Sequence, residues 1–130
     1  MHKGFLKTAA ILAALAVALG ALGAHKLKQM FSDDAVEVFK TGATYQFFHA
    51  LALALAGILY AAFPNKFLKA AGVLFLAGII LFSGSLYILT YKLGTVNSGL
   101  NWVGPITPVG GACFIIGWIC LALGIKSNKV

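Results

Sequence analysis

Four apolar runs, each close to twenty residues long, constrain this chain more than any other feature. They are Phe5 to Ala24, Tyr45 to Phe63, Ala70 to Tyr91 and Trp102 to Ile125. A helix needs about 20 residues to cross a hydrocarbon layer roughly 30 Å thick. No water reaches that layer, so each crossing segment must satisfy its own backbone donors and acceptors, as a helix does. The chain therefore reads as an all-α integral membrane protein, with four transmembrane helices in a single domain over residues 1 to 130. The links, His25 to Thr44, Asn65 to Lys69 and Lys92 to Asn101, leave no room for a soluble domain.

Charge supports the same class. Ten lysines and no arginine face only Asp33, Asp34 and Glu37, for a formal net charge of +7. A nucleic-acid-binding surface gathers basic residues on a soluble face with aromatics between them. Here the lysines flank apolar runs, as interfacial anchors do, which points to membrane lipids as partners and not to nucleic acid. Six of them (Lys3, Lys7, Lys66, Lys69, Lys126, Lys129) fall on the termini and the second link, and four (Lys26, Lys28, Lys40, Lys92) on the other two links. The lysine-rich side is the cytoplasmic one. Both termini are therefore expected on the cytoplasmic side of a plasma or inner membrane. The first run has the basic start and small-residue end of a cleavable signal peptide, but its apolar stretch of about 20 residues exceeds the roughly 7 to 15 of a signal core. It is read as the first membrane helix.

Close packing drives helix association in lipid, so small residues at regular spacing mark contacts. The first helix carries Ala16, Gly20 and Ala24, and the fourth carries Gly110, Gly117 and Gly124. Cys113 and Cys120 lie seven apart on the fourth helix, about 10.5 Å along its axis, too far for a disulfide, and are read as thiols filling an interface. In the first link, Asp34 and Glu37 have the spacing of a capping box. Helix two either begins near Asp34, with a bend at Gly42, or is preceded by a separate interfacial helix that presents Val36 and Phe39 to the membrane surface.

Polar residues inside a membrane are costly and are the first candidates for a site. His25, Tyr45, Gln46, His49, Ser83, Ser85, Tyr87, Thr90 and Thr107 all fall in the outer half of the expected topology. Tyr45, Gln46 and His49 share one helix face by their three- and four-residue spacing, and Ser83 and Tyr87 make a similar pair. Hydrogen bonding between helices accounts for such residues at about 0.6 kcal/mol each. The same placement also suits a pocket for a lipid headgroup or small ligand. His49 is expected among the helices, bonded to Ser83, Ser85 or a backbone group across the bundle.

The stretch GPITPVGG, residues 104 to 111, opens the fourth segment with three glycines and two prolines. Thr107 and Pro108 suit the cap and first position of a helix. In that case the amides of Val109, Gly110 and Gly111 point into a polar cavity roofed by His25, Tyr45 and His49, a natural anion site. The alternative is a helix from Asn101, with Pro105 in its first turn and a kink at Pro108.

Taken in order, GALGAHKL (20 to 27), YQFFHALAL (45 to 53), LFSGSLYIL (81 to 89) and GPITPVGG with FIIGW (114 to 118) resemble the domain of unknown function 423 family. These are small bacterial inner-membrane proteins with a eukaryotic relative, transmembrane protein 256. The resemblance implies about four membrane helices and brings no established activity with it. The family's recurring residues correspond here to Gly23, His25, Tyr45, Gln46, His49, Ser83, Gly84, Ser85, Tyr87, Thr107, Pro108 and Gly111. The VNSG stretch before Asn101 departs from the pattern and lengthens the third link.

The leading expectation is a non-enzymatic bundle that binds a lipid headgroup or small ligand through His25, Tyr45, Gln46, His49, Ser83, Ser85, Tyr87, Thr107, Gly110 and Gly111, as a homo-oligomer or with a membrane-protein partner. A small transporter is the rival. It lacks a carboxylate within a span, since all three acids sit in the first link. His25 and His49 alone, with no carboxylate or cysteine at their depth, make a poor metal site. Haem could take the two histidines as axial ligands. No nucleophile and base pair, phosphate loop or dinucleotide fingerprint is present, so no catalytic residue, metal or cofactor is assigned.

Overall fold

The structure, a computed structural model, describes residues 1–95 and 102–126. Asn101, the VNSG stretch and Lys129 lie outside the described residues. Four helices are long and apolar enough to cross a membrane: α1 Lys3–Met30, α2 Asp33–Leu59, α3 Lys66–Leu93 and α4 Ile106–Gly124. All regular structure among the described residues is helical.

The first two helices run further than their apolar stretches. No glycine or proline interrupts residues 25–30, so α1 continues past Ala24 to Met30, with a wider π turn at Gly23–Leu27. Phe31 then turns extended, and Ser32 caps α2, its Oγ accepting from the Ala35 amide at 3.3 Å. Asp33 and Asp34 fill the first turn, where the helix dipole favours acids. The cap is thus Ser32, two residues ahead of the expected box. No separate interfacial helix forms either: Ala35, Val36 and Phe39 are buried on the same α2 that carries Gln46 and His49. An apolar stripe that looks fit for a membrane surface is taken up by neighbouring helices.

The helices pack mainly in chain order, α1 on α2, α2 on α3 and α3 on α4. Aromatic rings seated on glycines make these contacts. Phe39 lies over Gly23, Tyr87 over Gly42 and Phe75 over Gly117, each with a ring carbon 2.8 Å from where a Cβ would stand. Phe114 sits on Gly78 in the same way, and Phe5 of α1 reaches past α2 to sit on Gly72 of α3. In lipid there is little hydrophobic gain between helices, so van der Waals contact of this kind carries association. A methyl at any of these glycines would displace a ring. The helix α2 runs unbroken through Gly42, which admits Tyr87.

Of the two small-residue stripes, that on α4 is a contact along its length: Gly110, Gly117 and Gly124 are all buried. The α1 stripe is a contact only in part. Ala16 is buried, but nothing lies within 4 Å of a Cβ at Gly20, and Ala24 is exposed. The α1 helix is the least buried of the four.

Ties at the other end hold the termini of the helices. The His2 amide donates to Gly57 O at 2.9 Å. Asn65 Oδ1 accepts from the Phe67 and Leu68 amides, capping α3, while its Nδ2 donates to Gly124 O at 2.8 Å and so holds the last turn of α4. Cys113 and Cys120 are free thiols, the latter packed against the core.

Candidate functional site

Gln46 is the centre of the polar layer. Its Nε2 donates to Leu12 O of α1 at 2.8 Å, and its Oε1 accepts from the Tyr87 hydroxyl of α3 at 2.6 Å. One buried amide thus ties three helices. Gly42 lies one turn above it on α2 and gives Tyr87 the room to reach.

His49, one turn below Tyr45, is buried, but its partners are not the expected serines. Its Nδ1 lies 2.8 Å from Tyr45 O, and its Nε2 accepts from the Trp118 indole at 3.1 Å. The ring stacks on Phe114 with centroids 3.5 Å apart. Rotation of α2 turns the imidazole toward α4, which puts Ser83 and Ser85 out of its reach. Trp118 was not among the candidates; its four-residue spacing from Phe114 and its indole donor within a span were the available signal.

Ser85 and Thr107 form a second polar pair, joining α3 to the start of α4 with their hydroxyls 2.6 Å apart. Ser85 gives its proton to Phe82 O at 2.8 Å, so Thr107 donates to Ser85. Thr107 is therefore not a helix cap. The helix begins earlier, at Ile106, after a turn over residues 102–105, and no side chain caps it. Pro108 falls in the first turn, where no amide is required. The start lies between the two expected positions.

No cavity faces Gly110. Its would-be Cβ overlaps Phe82 N and comes 2.7 Å from Phe82 Cα, so the α4 backbone presses on the α3 backbone. Phe82 belongs to a π turn at Ile79–Ser83, whose widened backbone meets Gly110. Gly111 faces the Phe82 ring at 3.8 Å. The expected roof of His25, Tyr45 and His49 is absent there. His25 is exposed on the π turn of α1 and makes no hydrogen bond or ring contact with the other candidates among the described residues. Tyr45, 41 % exposed, packs its ring on Phe82 at 4.9 Å. Ser83 is buried in the π turn, and its Oγ has no hydrogen-bond partner among the described residues. Thr90 is buried and donates to Leu86 O at 2.8 Å.

Open space lies beside this layer instead of within it. A groove of about 180 Å³ between α3 and the start of α4 is lined by Ile80, Leu81, Gly84, Ser85, Ile88 and Ile106, with Trp102 and Val103 at its end. A Cβ at Gly84 would meet nothing within 4 Å. Another groove, of about 250 Å³, runs between α1 and α2 beside Gly20 and Thr44. No group of three or more metal-ligating side chains occurs among the described residues.

Four apolar crossing helices joined by internal polar ties define a small multi-pass membrane protein. The family model described as protein of unknown function (DUF423) matches residues 19–111. The chain is 43 % identical over 121 residues to a UPF0382 membrane protein of Staphylococcus aureus, covering 93 % of each. It is 41 % identical to a UPF0382 membrane protein of Haemophilus influenzae over 99 % of this chain and 98 % of that one, and 42 % identical to YwdK of Bacillus subtilis, which has the same description. The chain therefore belongs to the DUF423 family of membrane proteins. No solved structure matches it.

Proposed function

We propose that this chain is a non-enzymatic bundle of the plasma or inner membrane that holds the apolar tail of a phospholipid in the groove between α3 and the start of α4. The observation that carries this is Gly84. It has ordinary helical backbone, φ −59° and ψ −44°, yet no atom of the chain fills the space beside it. Gly23, Gly42, Gly72, Gly78 and Gly117 each have a ring in that space, and Gly110 has the Phe82 backbone; Gly20 is open in the same way, beside the groove between α1 and α2. Apolar walls suit an acyl chain, and Ser85, bonded to Thr107, is the polar side chain in the groove's lining. The rest of the polar layer, Gln46, His49 and Tyr87, then acts as the frame that sets α2, α3 and α4 around this groove.

A carrier has less support. The carboxylates of Asp33, Asp34 and Glu37 are exposed at the start of α2, and both nitrogens of His49 are already engaged. The test is Gly84→Leu, since a Cβ there meets nothing within 4 Å and the side chain enters the groove. Native mass spectrometry of gently extracted protein should show phospholipid bound to the wild type and lost from Gly84→Leu, with thermal stability unchanged. Wild-type lipid occupancy in a folded Gly84→Leu protein would rule this function out.

A further inference from the structure

Trp118 and His49 make a hydrogen bond from α4 to α2 past α3, in a bundle that packs mainly in chain order. The donor pattern at this link is fully determined. Tyr45 O can only accept, so His49 Nδ1 carries the ring proton, and Nε2 is the acceptor for the Trp118 indole N–H. Both nitrogens of a neutral imidazole are thereby used. The rings packed on it are Tyr45 from α2, Phe75 from α3, and Phe114 and Trp118 from α4. Only Tyr45 among them titrates, and none is charged.

We propose that the His49–Trp118 pair is an acid-released link between α2 and α4. One proton from solvent, taken up at Nε2, turns the acceptor into a donor that faces the indole donor. The Nδ1 bond to Tyr45 O survives, and the indole bond does not. Trp118, 44 % exposed on the outer face of α4, then turns away, while α4 stays on α3 through Gly110, Gly117 and Gly124. Release thus changes the α2–α4 contact without unfolding the bundle.

The test uses the full chain in detergent with Trp102→Phe, which leaves Trp118 as the sole tryptophan. Trp102 is 57 % exposed, so its replacement is mild. Between about pH 8 and about pH 5, the range in which imidazoles titrate, the wavelength of Trp118 emission should shift reversibly, because the released indole exchanges its His49 partner for different surroundings. Adding His49→Gln should abolish the transition, since an amide oxygen can accept the indole bond but does not titrate. Nitrogen NMR of histidine-labelled wild type at neutral pH should show the proton on Nδ1, and this measurement needs no variant. A constant emission wavelength across the range, a transition that persists with His49→Gln, or a proton found on Nε2 would each overturn the proposal.

Discussion

Gln46 shows how much a single polar side chain does in lipid. Its two bonds, to Leu12 O and from the Tyr87 hydroxyl, span three helices, and the amide is only 4 % exposed. Interhelical hydrogen bonds in membranes contribute about 0.6 kcal/mol each on average and at most about 1.7 kcal/mol. Gln46→Leu removes both and leaves the Tyr87 hydroxyl without this partner, so it should lower stability by roughly 1 to 2 kcal/mol. Tyr87→Phe should cost less, about 0.6 to 1.7 kcal/mol, because only one bond goes. Unfolding in mixed micelles would measure both, and the double variant should cost less than the sum of the two. Strict additivity would mean that the two side chains do not meet.

Elements in this bundle are held at their ends as well as along their faces. Asn65 follows Pro64, which disfavours helix in the residue before it, and its side chain caps α3 while its amide holds Gly124 O at the end of α4. Asn65→Ala removes both ties. The loss of the cap alone should cost about 0.5 to 2 kcal/mol. Hydrogen exchange should speed up first at the Phe67 and Leu68 amides, with the first turn of α2 unaffected. Equal protection of these amides in the variant would show that the cap is dispensable. At the α3–α4 contact the π turn and Gly110 meet backbone to backbone, so a wide turn in one helix fits a missing side chain in the other.

At the scale of the whole molecule, the two ends differ in charge. Lys3, Lys7, Lys66, Lys69 and Lys126 mark one end with no acid, while Asp33, Asp34 and Glu37 all lie at the other. The lysine bias predicts that the termini are cytoplasmic. Single cysteines introduced near residue 3 and near residue 31, in a chain with Cys113 and Cys120 replaced by alanine, would be labelled with an impermeant reagent on intact cells. Label at the second position alone is expected; label at the first alone would reverse the orientation. The first and last helices, α1 and α4, are the least buried of the four, with much of their surface facing outward.

Membrane class, four crossings and the glycine stripe of α4 were all legible in the linear order of residues. The reason is physical: the hydrocarbon layer imposes a length, and close helix contact imposes a period, and both are one-dimensional. The first link misled because the length rule counts apolar residues. Residues 25–30 and 33–44 are polar enough to read as a loop, yet no residue there breaks a helix, and Ala35, Val36 and Phe39 find a core. Depth, too, was readable, since Gln46 with Tyr87 and Ser85 with Thr107 do meet. Which polar residue meets which partner was not readable. That depends on the rotation and shift of each helix, set jointly by rings seated on glycines in neighbouring helices. The same seats turn His49 toward Trp118 and away from Ser83, close the space at Gly110, leave His25 outside and open the groove at Gly84.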